Sequence, residues 1–392
     1  MKTRSFHNIE NILICVQRYG SCIQVSTMND TYFMKRALRL AAKGGGWTSP
    51  NPMVGAVVVR DGKIIGEGWH KAAGTPHAEV IALDNAGDRA SGATLYVTLE
   101  PCNHFGRTPP CTARILEAGI ARVVMAMNDP NPSVKGGGAD FLKASGVSVM
   151  KGICEEEARK LNECFIKHTQ TGLPFVVVKC AATLDGQTAS RSGDSKWISC
   201  AASREFVHRL RHRLDAILVG INTVRSDNPM LTTRLEDEEG KDPIRIVLDT
   251  NLSIDPEAKV FNKDSSAKTL IATGPDPPEE KIEKIREKGA EVLICPLKKN
   301  RISLDWLMKT LGTRGIMSVL VEGGSMVIGN MIAEKLADKL CFFYAPRILG
   351  GNDGYPIIRG HGSDKIGESL KVSRITVYRF DDDIMIEGYP EY

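Results

Sequence analysis

Four residues in the first third of the chain have the types and spacing of a metal-assisted hydrolytic site: His77, Glu79, Cys102 and Cys111. One imidazole and two thiolates supply three protein ligands to zinc and leave a fourth position for water. That open position separates a catalytic zinc from a structural one. Water held there ionises near neutral pH. If a helix begins at His77, Glu79 faces the same pocket from its first turn. It can then take the proton of the attacking water and return it to a ring nitrogen and the departing ammonia. This is how zinc deaminases use a glutamate that is not itself a ligand.

Cys111 follows Pro109-Pro110 and opens an expected helix, whose N-terminus favours a thiolate. Cys102 follows Pro101 at the end of an expected strand, a rigid place for a ligand. A closed, four-ligand zinc knot is the structural alternative. It needs His104 as its fourth ligand and leaves Glu79 without a role. The common deaminase signature has two residues between its cysteines, whereas here eight intervene, Asn103 to Pro110. This loop forms an extra wall beside the metal and carries the charge of Arg107, which points away from a plain nucleoside deaminase.

These residues need a scaffold, and the hydrophobic pattern supplies one. Asp30 or Thr31 can cap a helix with Phe33, Ala37, Leu40 and Ala41 on one face, stopped by Gly44-Gly45-Gly46. Strands are expected at 53–59, 94–99 and 122–127, with Asp61-Gly62 as a hairpin turn and helices at 77–86 and 111–118. A charged connecting helix is expected over 155–170, ended by Gly172-Leu173-Pro174. The alternation then restarts, with strands at 175–181, 216–220, 244–249, 269–272, 291–294, 319–322 and 340–344, and helices that include 203–213 and 280–288. The expected organisation is two α/β domains, 28–172 and 173–392, after an extension, 1–27, read as disordered or as a mis-called start.

The chain has 392 residues, enough for two cores, with 42 % hydrophobic and 25 % charged residues. A net charge of +4, spread along the chain, suits a small anionic substrate and falls short of a dedicated nucleic-acid binder. Ten cysteines without a framework spacing point to a reducing, cytoplasmic setting. No apolar run reaches the roughly 20 residues of a membrane span. The stretch 12–16 is too short and too polar in its flanks for a signal core.

Longer motifs narrow the reading. Asn51-Pro52-Met53-Val54-Gly55-Ala56, His77-Ala78-Glu79-Val80 and the run Thr98 to Cys111 resemble the family of bifunctional riboflavin-biosynthesis deaminase/reductases. So do Ala181-Ala182-Thr183-Leu184-Asp185-Gly186, Gly193-Asp194-Ser195-Lys196-Trp197-Ile198 and Val321-Glu322-Gly323-Gly324-Ser325. The resemblance runs from about Met28 nearly to the C-terminus. It implies a cytidine-deaminase-like α/β/α sandwich followed by a dihydrofolate-reductase-like α/β domain, with zinc and NADPH as cofactors. The implied reactions are hydrolytic deamination of 2,5-diamino-6-(5-phosphoribosylamino)pyrimidin-4-one, then reduction of the ribosyl side chain to give 5-amino-6-(5-phosphoribitylamino)uracil.

By the same resemblance, Asn51, His70 and Arg107 contact the deaminase substrate. Cofactor contacts fall on Ala181, Trp197, Thr223, Asp227, Thr250, Gly324, Ser325, Met326, Val327, Ile328, Gly329 and Asn330. Reductase substrate contacts fall on Ser195, Arg211, Leu231, Arg234 and Glu322. Arg211 and Arg234 suit a sugar phosphate through bidentate bonds, and Gly323-Gly324-Ser325 joins a strand to a helix where backbone N–H groups can cradle a phosphate. Taken alone, the glycines could be a turn, Arg211 a solvated helix face and Trp197 core. The partners expected are a small phosphorylated pyrimidine and further copies of the chain, without nucleic acid or membrane. A nucleic-acid deaminase would want a basic, aromatic-rich surface, and aromatics are only 6 % of the chain. A non-catalytic descendant would have lost a ligand or Glu79, and neither is lost.

Overall fold

The computed structural model describes residues 25–104, 109–131, 137–261 and 264–392, with side chains from residue 30 onward. In chain order, the first half contains α1 (Val25–Ala42), β1 (Gly55–Arg60), β2 (Lys63–Trp69), α2 (Ala78–Ala86), β3 (Thr94–Leu99), α3 (Cys111–Glu117), β4 (Arg122–Met127), α4 (Gly138–Ala144) and β5 (Ser148–Lys151). Its five strands run in the order β2-β1-β3-β4-β5. The β1–β2 and β1–β3 pairs are antiparallel, and the β3–β4 and β4–β5 pairs are parallel.

Helices cover both faces of this sheet. A Cβ on Gly55 would lie 2.0 Å from the Ala37 carbonyl of α1, and one on Gly68 would lie 2.4 Å from the Ala78 carbonyl of α2. Glycine is therefore what lets each helix lie flat on its strand, and at Gly68 it seats the helix that carries Glu79. α1 begins at Val25, before the expected cap, so the expected boundary at 27 falls within this helix. Asp30 is no cap. It is buried inside the helix, where it accepts two bonds from Arg122 and one from the Tyr96 hydroxyl.

The expected single connecting helix is two, α5 (Glu155–Leu161) and α6 (Glu163–Thr171), separated at Asn162. The buried Asn162 side chain accepts from Met53 N and donates to Met53 O, pinning the break to the first sheet. α6 binds the second half: Lys167 pairs with Asp338 at 2.5 Å, and Glu163 accepts from Lys339 and from the Tyr389 hydroxyl.

The second half contains β6 (Phe175–Thr183), β7 (Gln187–Ala189), α7 (Ala201–Arg213), β8 (Ala216–Gly220), α8 (Ile221–Asp227), β9 (Ile244–Leu248), β10 (Thr269–Thr273), α9 (Glu279–Glu287) and β11 (Glu291–Ile294). There follow β12 (Leu297–Lys298), β13 (Arg301–Ile302), α10 (Leu304–Thr313), β14 (Ser318–Gly323), α11 (Ser325–Ala333), β15 (Lys339–Ala345), β16 (Tyr355–Pro356), β17 (Lys371–Phe380) and β18 (Asp383–Glu391). Nine strands form one sheet, β11-β10-β9-β8-β14-β6-β15-β18-β17. It is parallel from β11 to β15, and β18 and β17 add antiparallel at the edge. Its central strands are apolar runs buried on both faces, as parallel strands covered by helices must be. Among the described residues no helix is long and apolar enough to cross a membrane.

Candidate active sites

The first site forms where α2 and α3 begin beside the end of β3. His77 is the N-cap of α2, Cys111 the first residue of α3, and Cys102 lies three residues after β3. Their ligand atoms lie within 4.8 Å of one another, with His77 Nδ1 3.2 Å from Cys111 Sγ and 3.6 Å from Cys102 Sγ. One imidazole and two thiols converging in this way fit a zinc ion with one position left open. His104 is exposed and stands outside the cluster, so the described residues do not form the four-ligand knot.

The start of α3 was expected to favour the Cys111 thiolate, but it favours that of Cys102 instead, because the Cys111 thiol and the first N–H of the helix both donate to the neighbouring sulfur. Cys111 N donates to Cys102 Sγ at 3.3 Å. A bond from the Cys111 thiol, outweighing burial, and one from His77 bring the Cys102 thiol down to about 4, while that bond and burial push the Cys111 thiol up. Glu79 is buried in the first turn of α2, beside both cysteines. Burial, then the Cys102 thiolate, push its carboxyl above the usual range, and a bound dication acts in the opposite sense.

Asn51 and His70, the expected substrate contacts, are joined on the wall of this site. His70 Nδ1 donates to the Pro76 carbonyl at 3.2 Å, which leaves Nε2 to accept from Asn51 Nδ2 at 3.1 Å. Burial lowers the His70 pKa, so the ring is neutral, and it stands edge-on to His77 with centroids 5.7 Å apart. Arg107 lies outside the described residues. Glu100 is a residue sequence reasoning missed. Its carboxylate accepts from Asp129 N and Ala139 N, which ties the approach to Cys102 to the loop after β4 and to the first turn of α4. A charged residue directly after an apolar strand was the available signal.

The second site is a cleft of about 1160 Å³ across the carboxyl ends of β9, β8 and β14 and the adjoining part of β6. Ligands of open α/β sheets bind in such a place. Gly323, at φ +142°, ends β14, and Gly324 caps α11. A Cβ on Gly324 would meet only Thr223 Oγ1, at 3.4 Å, so the cleft is open against the backbone there. This turn, followed by the free N–H groups of α11, fits the diphosphate of a dinucleotide.

Most of the expected contacts line this cleft: Ala181, Ser195, Trp197, Arg211, Thr223, Asp227, Arg234, Thr250, Glu322, and Gly324 to Asn330 except Gly329. Gly329 instead faces away, where a Cβ would lie 1.9 Å from the Arg359 carbonyl. Leu231 is buried in a hydrophobic cluster with Ile217, Val219 and Val224 and does not line the cleft. Trp197 is not core; it is 63 % exposed, with the Arg204 guanidinium 4.7 Å from its ring centroid.

Arg211 is neither a solvated face nor a free phosphate clamp. Its Nε and Nη2 donate to the two Glu322 oxygens at 2.7 and 2.9 Å, and its Nη1 donates to the Thr232 carbonyl. Burial alone would raise the Glu322 carboxyl, but Arg211, with Lys179 at 3.9 Å, holds it at about 2. Arg234, whose side chain is bonded only to Thr232 Oγ1 among the described residues, is the more available cation. Burial, Arg211 and Arg234 bring His208 down to about 4, so it is a neutral donor and acceptor in the same wall. Lys179 and His208 were not anticipated. The lone charge inside the apolar run of β6 was the signal for Lys179.

Comparison with known proteins follows the same division. Residues 27–127 match the cytidine and deoxycytidylate deaminase zinc-binding region, and residues 174–386 match the RibD C-terminal domain. The chain is 47 % identical over 357 residues to riboflavin biosynthesis protein RibD of Aquifex aeolicus, covering 91 % of this chain and 97 % of that protein. It is 42 % identical over 336 residues to the RibD of Escherichia coli K12, covering 83 % and 90 %. Among solved structures, a Thermotoga maritima diaminohydroxyphosphoribosylaminopyrimidine deaminase/5-amino-6-(5-phosphoribosylamino)uracil reductase superposes with a TM-score of 0.82. The two are 39 % identical, over 93 % of this chain and all of that one. Acinetobacter baumannii RibD superposes with a TM-score of 0.83 at 36 % identity, again over 93 % of this chain and all of that one.

Proposed function

The chain belongs to the RibD family of bifunctional riboflavin-biosynthesis deaminase/reductases, and from that premise we propose a role for each residue of its two sites. His77, Cys102 and Cys111 hold zinc, Glu79 is the acid/base, and Asn51, His70 and Arg107 bind the phosphoribosylaminopyrimidine. The observation that supports this assignment is the three-residue His/Cys cluster with a buried glutamate beside it that is not one of its members.

Bound zinc supplies a Lewis acid that makes water a nucleophile near neutral pH. Glu79 carries one proton of the attacking water to the ring nitrogen and then the second, from the hydroxyl so added, to the amino group, which leaves as ammonia. The neutral His70, committed through both ring nitrogens, orients Asn51, whose amide oxygen is offered to the substrate ring, and neither competes for the metal. Burial excludes bulk water and keeps the proton on this one relay.

In the second half, NADPH supplies hydride to the ribosyl carbon. Ala181, Trp197, Thr223, Asp227, Thr250, Gly324 to Ile328 and Asn330 hold the cofactor. Ser195, Arg234 and the Arg211–Glu322 pair hold the substrate, with Arg234 toward its phosphate. In this reading Gly329 supports the turn through packing, and Leu231 shapes the wall from behind. The division at 172–173 separates the two chemistries, although α6 belongs by its ion pairs to the second. We further propose a cytoplasmic homo-oligomer that uses neither nucleic acid nor membrane.

Glu79→Gln tests the assignment. Zinc should remain at about one per chain while deamination falls by roughly 10²–10⁴-fold or more. Loss of zinc from this variant would make Glu79 a ligand and overturn its role.

A further inference from the structure

The reductase cleft has two chemically distinct ends. At the β6–β14 end stand Lys179, Arg211, Glu322 and Arg234, the groups suited to a charged substrate. The nicotinamide must abut the reacting carbon there, so the rest of the dinucleotide runs past Gly324 toward β8 and β9. Two strand spacings beyond β14 bring it about 10 Å along the sheet. The lining at the β9 end is Leu248, Thr250, Ile302 and Leu304, an apolar slot suited to adenosine, and it holds one cation, Arg301.

Arg301 belongs to the β12–β13 hairpin, which is clamped on the end of β9. Gly274 N donates to the Thr250 carbonyl at 3.0 Å, and Leu297 of the hairpin packs close over Gly274, 3.2 Å from where a Cβ would stand. Ser303 N donates to the Pro296 carbonyl and closes the hairpin. The other cations of the cleft have partners or stand at the substrate end: Lys179 and Arg211 pair with Glu322, Arg204 donates to Ser199 O, Arg359 meets Gly354 O and the Tyr355 ring, and Arg234, beside Thr232, is at the substrate end. The Arg301 guanidinium has no hydrogen-bond, ion-pair or ring partner among the described residues.

We propose that Arg301 binds the 2′-phosphate of the NADPH adenosine and so sets the preference for NADPH over NADH. A planar guanidinium can meet two oxygens of a phosphate monoester at once, and NADH offers no such group. The proposal rests on the reading of this cleft as the NADPH site.

The test uses the zinc-loaded full chain and measures binding of adenosine 2′,5′-bisphosphate and of 5′-AMP by calorimetry, then kcat/KM for NADPH and NADH. Arg301→Gln should weaken adenosine 2′,5′-bisphosphate and NADPH by roughly 10–100-fold, the scale of hydrogen bonds to a charged group. It should leave 5′-AMP, NADH and the thermal transition essentially unchanged, and Arg301→Lys should recover part of the loss. Unchanged affinity for adenosine 2′,5′-bisphosphate would overturn the proposal, as would an equal loss for 5′-AMP. A wild-type chain that bound neither adenosine 2′,5′-bisphosphate nor NADPH would overturn the cofactor reading and the proposal with it.

Discussion

Replacing Arg211 by Met removes one partner of a buried ion pair and leaves the other charge in place. Arg211 and Glu322 have side chains only 13 % and 8 % exposed, so neither can turn to water. Breaking such a pair costs about 3–5 kcal/mol, and the Thr232 carbonyl loses its donor as well. For a domain of this size that is roughly 6–20 °C in the melting temperature of the second half. The sign with pH follows from Glu322. Its folded value, about 2, lies below the ordinary 4.5, so in the wild type its contribution is full above about 4.5 and is lost as pH falls toward 2. That gap corresponds to about 3 kcal/mol. In Arg211→Met burial loses its largest opponent, with Lys179 and the weaker effect of His208 left, and the Glu322 value moves upward. The variant's deficit should therefore be largest at pH 7 and should shrink as pH falls toward 4.5 and below. Scanning calorimetry of both proteins from pH 7 to pH 4 measures it. A deficit below about 1 kcal/mol, or one independent of pH, would refute the reasoning.

Three further outcomes are expected. Cys102→Ser and Cys111→Ser should each lose zinc and deamination together while NADPH oxidation with the deaminated substrate continues; retained stoichiometric zinc by elemental analysis would mean a different ligand set. Asn162→Ala leaves the Met53 N–H and carbonyl without partners at about 1–3 kcal/mol each, and because Met53 is two residues from Asn51 the deaminase Michaelis constant should rise; a normal Michaelis constant and melting point would remove Asn162 from the design. A reductase fragment starting at Glu163 should be soluble and active, whereas one starting at Leu173 should be less stable, since Lys339 and Asp338 lose Glu163 and Lys167; equal thermal stability of the two would show that α6 is dispensable.

The scaffold was legible where local pattern and burial agree. The strands at 94–99, 122–127, 216–220 and 291–294 lie where the apolar runs place them. The metal cluster was legible because its chemistry restricts residue type and spacing together. What escaped was decided by distant partners. Asp30 has the composition of a cap, but Arg122 and Tyr96, far along the chain, draw it into the core. No Gly or Pro announces the break between α5 and α6, because the Asn162 side chain satisfies the backbone of Met53, 109 residues away. The pairing of Arg211 with Glu322 is likewise a tertiary fact. Periodicity places one on a helix and the other at a strand end, but only the packing of α7 beside β14 makes them partners.

The central claim, two successive chemistries on one chain, is tested most directly by following ammonia and NADPH together. Zinc-loaded protein is given the 2,5-diamino-6-(5-phosphoribosylamino)pyrimidin-4-one substrate with and without NADPH. The expected result is one ammonia per substrate in both cases, with one NADPH oxidised per ammonia when NADPH is present, and neither reaction's product in Glu79→Gln. Oxidation of NADPH by the diamino substrate without ammonia release, or no ammonia from the zinc-loaded wild type, would contradict it.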